Sequence, residues 1–231
     1  ENVTGTAFDD NLTGNAANNR LVGANGNDTL NGMGGNDLLT GGSGNDVMNG
    51  GTGNDFFYAG SGGAGNDIMD GGSGSDLVSY YLAGLTSGVS IDLNITTAQN
   101  TGGGGIDTFR NMEGVEGTDF ADVLIGNASD NTFSAGAGND TIYGGDGNDR
   151  IYAGFGDGRT TNYIDGGNGN DILEGSGGAD TIIGGAGNDL FRPSNDRDVM
   201  DGGAGADVFW FRDGDSFTLN GLVSDVIRDY N

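Results

Sequence analysis

Cysteine and histidine are both absent from this chain. Without cysteine there is no disulfide framework and no thiolate metal site. Without histidine the usual zinc ligand and the commonest general base are missing. Lysine is absent too, so the eight basic residues are all arginine, against 34 acidic ones. The formal charge of −26 argues against nucleic acid and anionic membrane surfaces, which require basic patches, and favours multivalent cations. No segment is apolar over the length of a membrane span, and Glu1-Asn2-Val3 does not have the form of a signal peptide. Apolar residues make up only 34% of the chain, and 51 residues are glycine. Glycine loses the most conformational freedom on folding and like charges oppose collapse, so composition alone points toward disorder.

The phase of the sequence points the other way. GGSGNDVMN from Gly41 is followed at once by GGTGNDFFY from Gly50. The same nine-residue frame reaches back to Gly5 and forward to Ser79 in eight turns, with Ala59-Gly60-Ser61 inserted. It returns at Gly117 and runs to Trp210 in ten turns, the one from Ala153 to Asp165 carrying four extra residues. Across these eighteen turns, position 6 is Asp fifteen times and otherwise Asn (Asn19, Asn131, Asn162), and position 8 is always apolar. A disordered low-complexity chain has no reason to hold such a phase, whereas a repeat architecture requires it.

A longer period overlies the short one. Glu1-Asn2-Val3 before GTAFDD is echoed by Glu113-Gly114-Val115 before GTDFAD, an offset of 112. The echo implies a piece cut from a longer array. Between the arrays Val89, Ile91 and Leu93 alternate as a strand does, Gly102 to Gly105 read as a loop, and Phe109, Met112 and Val115 read as inward positions. The expected organisation is a first array over 1–79, an irregular β segment continuing the solenoid over 80–116, a second array over 117–210, and a capping region from 211–231.

Positions 7 to 9 suit a short strand, and the glycines before them allow sharp bends. The fold expected is all-β, a flattened solenoid with two strands and two turns per 18-residue coil and position 8 stacked inside. Loops n and n+2 then share an edge, one strand spacing of roughly 4.8 Å apart. Bare carboxylates about 5 Å apart repel by roughly 1 to 3 kcal/mol at effective dielectrics of 80 to 20. A hard cation between loops reverses that sign. Calcium, taking six to eight oxygens from carboxylates and backbone carbonyls in flexible loops, fits better than magnesium.

The phrase GGxGxDxUx resembles the repeat of the RTX (repeats-in-toxin) calcium-binding proteins, and the resemblance covers most of the chain. It implies a right-handed parallel β-roll with calcium between loops n and n+2. Carried over residue by residue, one site takes the carbonyls of Gly42 and Gly44 with Asp46, facing Gly62, Ala64 and Asp67. A second joins Gly51, Gly53 and Asp55 to Gly71, Ser73 and Asp76. A third joins Gly145, Gly147 and Asp149 to Gly166, Asn168 and Asp171. A fourth joins Gly185, Gly187 and Asp189 to Gly202, Ala204 and Asp207. The same frame adds Gly26 with Asp28 and Gly35 with Asp37, facing Gly41, Ser43, Gly50 and Thr52. It also adds Gly63 and Gly65, then Gly136, Gly138 and Asp140, then Gly167 and Gly169. Gly175, Gly177 and Asp180, Gly184 and Ala186, and Asp198 complete the implied set. Asn19 and Asn131 lie in turns lacking the second and fourth glycines, so those edges are expected to be weak or empty. The turn from Pro193 has no glycine, which weakens the edge of Asp180 and Asp198. About eight to ten ions result, neutralising most of the charge.

The resemblance further implies a non-catalytic module of a large bacterial protein exported by a type I secretion machinery. Such a module is extended at low cytosolic calcium and folds outside the cell, at the cell surface or in the medium. The 112-residue echo favours an adhesin or surface-layer-like parent. The alternative is an accessory module of a secreted protease, lipase or polysaccharide-modifying enzyme, with outward aromatics such as Tyr143 and Trp210 meeting surface glycans or neighbouring copies. Glu113 and Glu116 have the look of a glycosidase acid pair, but the echo at Glu1 makes them structural. The final DVIRDYN resembles a phrase that follows the roll in serralysin-type RTX proteins, where a capping region begins.

Overall fold

Strand alternation explains how this chain buries anything at all. In the six-residue strands, position 8 of one turn and position 1 of the next face inward, while positions 7, 9 and 2 face outward. The inward pair is therefore one large apolar side chain and one glycine. The computed structural model describes residues 1–59, 65–81, 84–154, 160–194 and 196–211, and the backbone of 226–229. The capping expectation for 211–231 falls almost wholly outside these residues. Among the described residues there is no helix.

Two units are defined, Glu1–Thr118 and Asp119–Asn231. In the first, β1 (Asn2–Thr4), β2 (Asn11–Thr13), β3 (Arg20–Asn25), β4 (Thr29–Gly34) and β5 (Leu38–Ser43) come in succession. They are followed by β6 (Val47–Thr52), β7 (Phe56–Tyr58), β8 (Ile68–Ser73) and β9 (Leu77–Ser79). Then come β10 (Ser90–Asp92), β11 (Gln99–Gly102), β12 (Gly105–Arg110) and β13 (Gly114–Glu116). Odd strands β1, β3, β5, β7, β9 and β13 pair in parallel as one sheet, and β2, β4, β6, β8 and β12 as another. Strand β11 is laid antiparallel against β12, and an antiparallel bridge joins Val89 to Gly102.

The second unit repeats the plan. It contains β14 (Val123–Ile125), β15 (Thr132–Ser134), β16 (Thr141–Asp146), β17 (Arg150–Tyr152) and β18 (Tyr163–Asn168). After these come β19 (Ile172–Glu174), β20 (Thr181–Ala186), β21 (Leu190–Arg192), β22 (Val199–Ala204), β23 (Val208–Phe209) and β24 (Val226–Asp229). Strands β15, β17, β19, β21 and β23 form one parallel ladder, and β14, β16, β18, β20, β22 and β24 the other. Each unit is thus a parallel β-solenoid, as the nine-residue period predicts.

Register stacks position 8 on position 8. Leu21, Leu39, Phe57, Val78 and Val115 line up in one sheet, and Leu30, Met48, Met69 and Phe109 in the facing one. In the second unit Ile142, Ile164, Ile182 and Met200 stack opposite Ile151, Leu173 and Phe191. All of these are buried, whereas Leu12 and Phe209 on strands that begin or end a ladder are half-buried. Each buried aliphatic contributes about 1.5–3 kcal/mol, and the core is only one side chain per half-coil.

The irregular segment joins this ladder. Thr108 and Phe109 pair with Ile68 and Met69, and Val115 pairs with Val78. Val89, Ile91, Leu93 and Met112 are buried as well.

The glycines separate into two roles, where the sequence suggested one. Those at positions 2 and 4, such as Gly42, Gly44, Gly145 and Gly147, have positive φ. Those at position 1 do not, and are required for a different reason described below. Ala24 (φ 90°) and Met33 (φ 83°) occupy position 2 without being glycine, a conformation that costs an L-residue about 1–2 kcal/mol. Met33 is 58% exposed and has little packing to lose. Met33→Gly is therefore expected to stabilise the folded chain by up to about 1 kcal/mol after glycine's own entropy cost. Thermal denaturation checks this; an unchanged or lower midpoint would mean that the left-handed residue is unstrained.

Candidate metal centre

The position-6 residues do a structural job before any ion is considered. Within each unit, the backbone N–H at position 6 donates to the side-chain Oδ1 of position 6 one coil later. Asp28 N–H reaches Asp46 at 2.8 Å, Asp37 reaches Asp55 at 2.8 Å, and Asp55 reaches Asp76 at 2.7 Å. In the second unit Asn131 reaches Asp149 at 2.7 Å, Asp149 reaches Asp171 at 2.7 Å, and Asp171 reaches Asp189 at 2.8 Å. These side chains are buried, Asp28, Asp46, Asp149 and Asp171 each being 1% exposed. A ladder of position-6 side chains, carboxylates except at Asn19, Asn131 and Asn162, therefore runs inside each stacked loop edge.

The second oxygen is different. The Oδ2 atoms of Asp28, Asp37, Asp46, Asp55 and Asp76, and of Asp140, Asp149, Asp171, Asp189 and Asp207, are buried with no hydrogen-bond partner. Buried polar atoms are nearly always paired, and an unpaired charge in a dry interior is costly. Nine of these Oδ2 atoms curl over the position-1 glycine of their own loop, whereas position 1 in the turn of Asp140 is Ala135. A Cβ built on Gly32 would collide with Asp37 Oδ2 and lie 2.7 Å from the Gly50 carbonyl oxygen. One built on Gly166 would collide with Asp171 Oδ2 and lie 2.7 Å from the Gly184 carbonyl. Position 1 is thus glycine because a carboxylate oxygen and the carbonyl of the next coil converge where its side chain would stand. At positions 2 and 4 the loops are equally close: a Cβ on Gly42 or Gly44 would strike the carbonyl oxygen of Ala24 or Gly26.

Oxygen donors without protons, gathered from one carboxylate per loop and several carbonyls, are what calcium takes and what a hydrogen-bond donor would otherwise have to satisfy. Among the described residues no cluster of three carboxylates holds a metal by side chains alone. The family model of the RTX calcium-binding nonapeptide repeat matches residues 4–39, 31–63, 61–78, 116–151, 125–159, 158–191 and 194–217. The chain belongs to the RTX calcium-binding repeat family. No curated protein sequence matches it. It is a calcium-binding RTX β-roll module, and the repeat is a structural calcium-binding element rather than a catalytic one.

Not every RTX turn leaves an oxygen bare. In the turns from Gly5, Gly175 and Pro193, position 2 is Thr or Ser and its N–H donates to Oδ2 of the same turn. Thr6 caps Asp10 at 2.6 Å, Ser176 caps Asp180 at 3.1 Å, and Ser194 caps Asp198 at 3.1 Å. Asn127 caps Asn131 Oδ1 in the same way at 2.8 Å. Asp180 and Asp198, both in the set implied by the repeat, therefore have both oxygens engaged. Asp67 accepts from Asp46 N–H at 2.8 Å, while its expected loop partners Gly62, Gly63 and Ala64 lie outside the described residues.

The irregular segment supplies substitutes that spacing did not reveal. Asp107 continues the ladder above Asp67 at 2.9 Å, and its other oxygen accepts from Tyr80 Oη at 2.6 Å and Thr101 Oγ1 at 3.0 Å. Two hydroxyls thus satisfy the oxygen that other turns leave bare. Glu113 Oε2 accepts from Asp76 N–H at 3.0 Å and Glu116 Oε2 from Ser79 Oγ at 2.6 Å, so the acid pair is structural. A second, exposed ladder is made by the position-5 asparagines, to which spacing assigns no role: Asn45 N–H donates to Asn27 Oδ1 and Asn188 N–H to Asn170 Oδ1. Its signal is plain in the sequence, where Asn fills position 5 of nearly every sharp repeat.

Burial disfavours the charged carboxylates. It pushes Asp67, Asp140 and Asp149 up to about 7, and Asp76 and Asp171 up to about 6, with neighbouring ladder carboxylates adding to the effect and the ladder N–H bonds opposing it. Groups held above their unfolded values favour the fold below about pH 4, and that support is lost as pH rises through 6 and 7. In EGTA, β-structure measured by circular dichroism is expected to be greater at pH 4–5 than at pH 7.5. The opposite ordering would refute the burial of neutral acids. The ladder itself predicts that Asp149→Ala, which strands the Asn131 N–H, is less stable than Asp149→Asn by about 1–3 kcal/mol, read from thermal midpoints of the two variants in calcium.

Proposed function

We propose that this chain is a calcium-triggered folding module of a larger exported bacterial protein, with the buried, unpartnered Oδ2 oxygens found among the described residues as its trigger. The ions would lie between stacked loops, with one carboxylate from each loop and the carbonyls at positions 2 and 4 of one loop and 1 and 3 of the next. Asp55 with Gly51 and Gly53, facing Asp76 with Gly71 and Ser73, is a representative site; Asp149 with Gly145 and Gly147, facing Asp171 with Gly166 and Asn168, is another. Calcium supplies the positive charge that two columns of buried carboxylates lack. The chain's own part is to bring donors together that exist as a set only when the coils are stacked. Binding energy is then folding energy, because the unfolded chain has no preformed site.

The acidity, the absence of cysteine and the single-residue core all support a chain that remains extended where calcium is scarce and folds where it is abundant. Extracellular calcium and type I export fit that requirement, and the 112-residue echo supports an adhesin or surface-layer-like parent over a secreted enzyme. Circular dichroism at pH 7.5 is the deciding measurement. The chain is expected to show β-structure in millimolar calcium and to lose it in EGTA; full structure in EGTA would sink the mechanism. Gly166→Ala, whose methyl group would fill the space above Asp171, is expected to lower the bound calcium measured by equilibrium dialysis.

A further inference from the structure

The three asparagines at position 6 break the repeat, and one of them is placed as an ion would be. Asn19 is 4% exposed. Its side-chain Oδ1 accepts the ladder bond from the Glu1 backbone nitrogen at 3.0 Å, so the Nδ2 group stands where other turns have the bare Oδ2. That NH2 shares its two protons among four acceptors within reach, the carbonyls of Asn15 (3.1 Å), Ala17 and Gly32 (3.3 Å) and Asp37 Oδ1 (2.9 Å). Asn15 and Ala17 are positions 2 and 4 of its own loop, and Gly32 is position 1 of the loop one coil later. A Cβ on Gly14 would lie 2.8 Å from both Asn19 Nδ2 and the Gly32 carbonyl, the space that a carboxylate oxygen and a carbonyl share above Gly32 itself. Asn162 repeats the orientation: Oδ1 accepts from Asp140 N–H at 2.9 Å, and Nδ2 donates to Ser176 Oγ at 2.8 Å and Asp180 Oδ1 at 3.0 Å.

We infer that the Asn19 amide is a built-in substitute for the cation, so that the edge joining the turns from Gly14 and Gly32 binds no calcium and is held by hydrogen bonds alone. The inference rests on the calcium reading above. An amide and an ion answer the same need here, since carbonyls and a carboxylate turned toward one point require a positive partner, either a donor proton or a metal. Asn19→Asp replaces the NH2 with an oxygen among oxygens. It leaves that edge in the condition of its neighbours, and a divalent cation is the remaining remedy.

The test is calcium stoichiometry of the full chain by equilibrium dialysis and atomic emission, for wild type and Asn19→Asp side by side, with folding in calcium checked by circular dichroism. One additional calcium per chain in Asn19→Asp is the expected result. An unchanged number in a folded variant overturns the inference and leaves the calcium reading intact. Crystals of the wild-type chain grown in calcium chloride give a readout that needs no variant. An anomalous difference map is expected to show ions at Asp-bearing edges and none beside the Asn15, Ala17 and Gly32 carbonyls. An ion there overturns the inference alone. No calcium bound to wild type anywhere overturns both readings.

Discussion

A buried carboxylate can satisfy one oxygen with a backbone N–H and still be untenable because of the other. That second oxygen is the constraint on which this fold depends. The core is one apolar residue per half-coil, too thin to hold down two internal columns of acid by hydrophobic burial alone. Every turn must therefore supply something positive to Oδ2, and the turns differ in what they supply. Where position 2 has Thr or Ser outside the left-handed region, its own N–H turns inward and does so. Where the chain leaves the repeat, Tyr80 and Thr101 bring hydroxyls. Where position 2 has positive φ, as a glycine or as Ala24 or Met33, its N–H is not offered to Oδ2, and the site is left to a cation.

This gives the glycine pattern a finer meaning than flexibility. Positions 2 and 4 need φ values that side chains resist. Position 1 needs no unusual φ; it needs vacancy, because the carboxylate folds back over it. The same residue type is thus selected twice within four positions, once for torsion and once for volume. A Ser at position 2 of the turn from Gly175 leaves the volume intact but changes the torsion, and with it the electrostatics of Asp180.

Periodicity made most of this legible. The apolar eighth letter announced the core, and the stacking of Leu21 on Leu39 or Ile142 on Ile164 follows from the nine-residue phase without further information. The acidic sixth letter announced the edge. What the phase could not convey was which of a carboxylate's two oxygens was already occupied, because that depends on the direction of one N–H at position 2. Nor could spacing find Tyr80 and Thr101, which reach Asp107 from a segment whose length obeys no repeat. The position-5 asparagines were in full view, but a residue that is polar, exposed and adjacent to an acid invites no question until its bond to the next coil is seen.

The ladder of position-6 residues also has a direction. Each N–H looks toward the following coil and each carboxylate toward the preceding one, so the two faces of a growing stack are chemically unlike. The face awaiting the next coil offers bare donors, and the face behind it offers bare acceptors. Two stacks can meet in register only head to tail, and a coil that is to end the sequence of donors must provide an acid of its own. Asp107 and Glu113 are such acids. In this sense the solenoid has a polarity comparable to that of a helix, carried by side chains rather than by peptide dipoles, and its two ends cannot be exchanged.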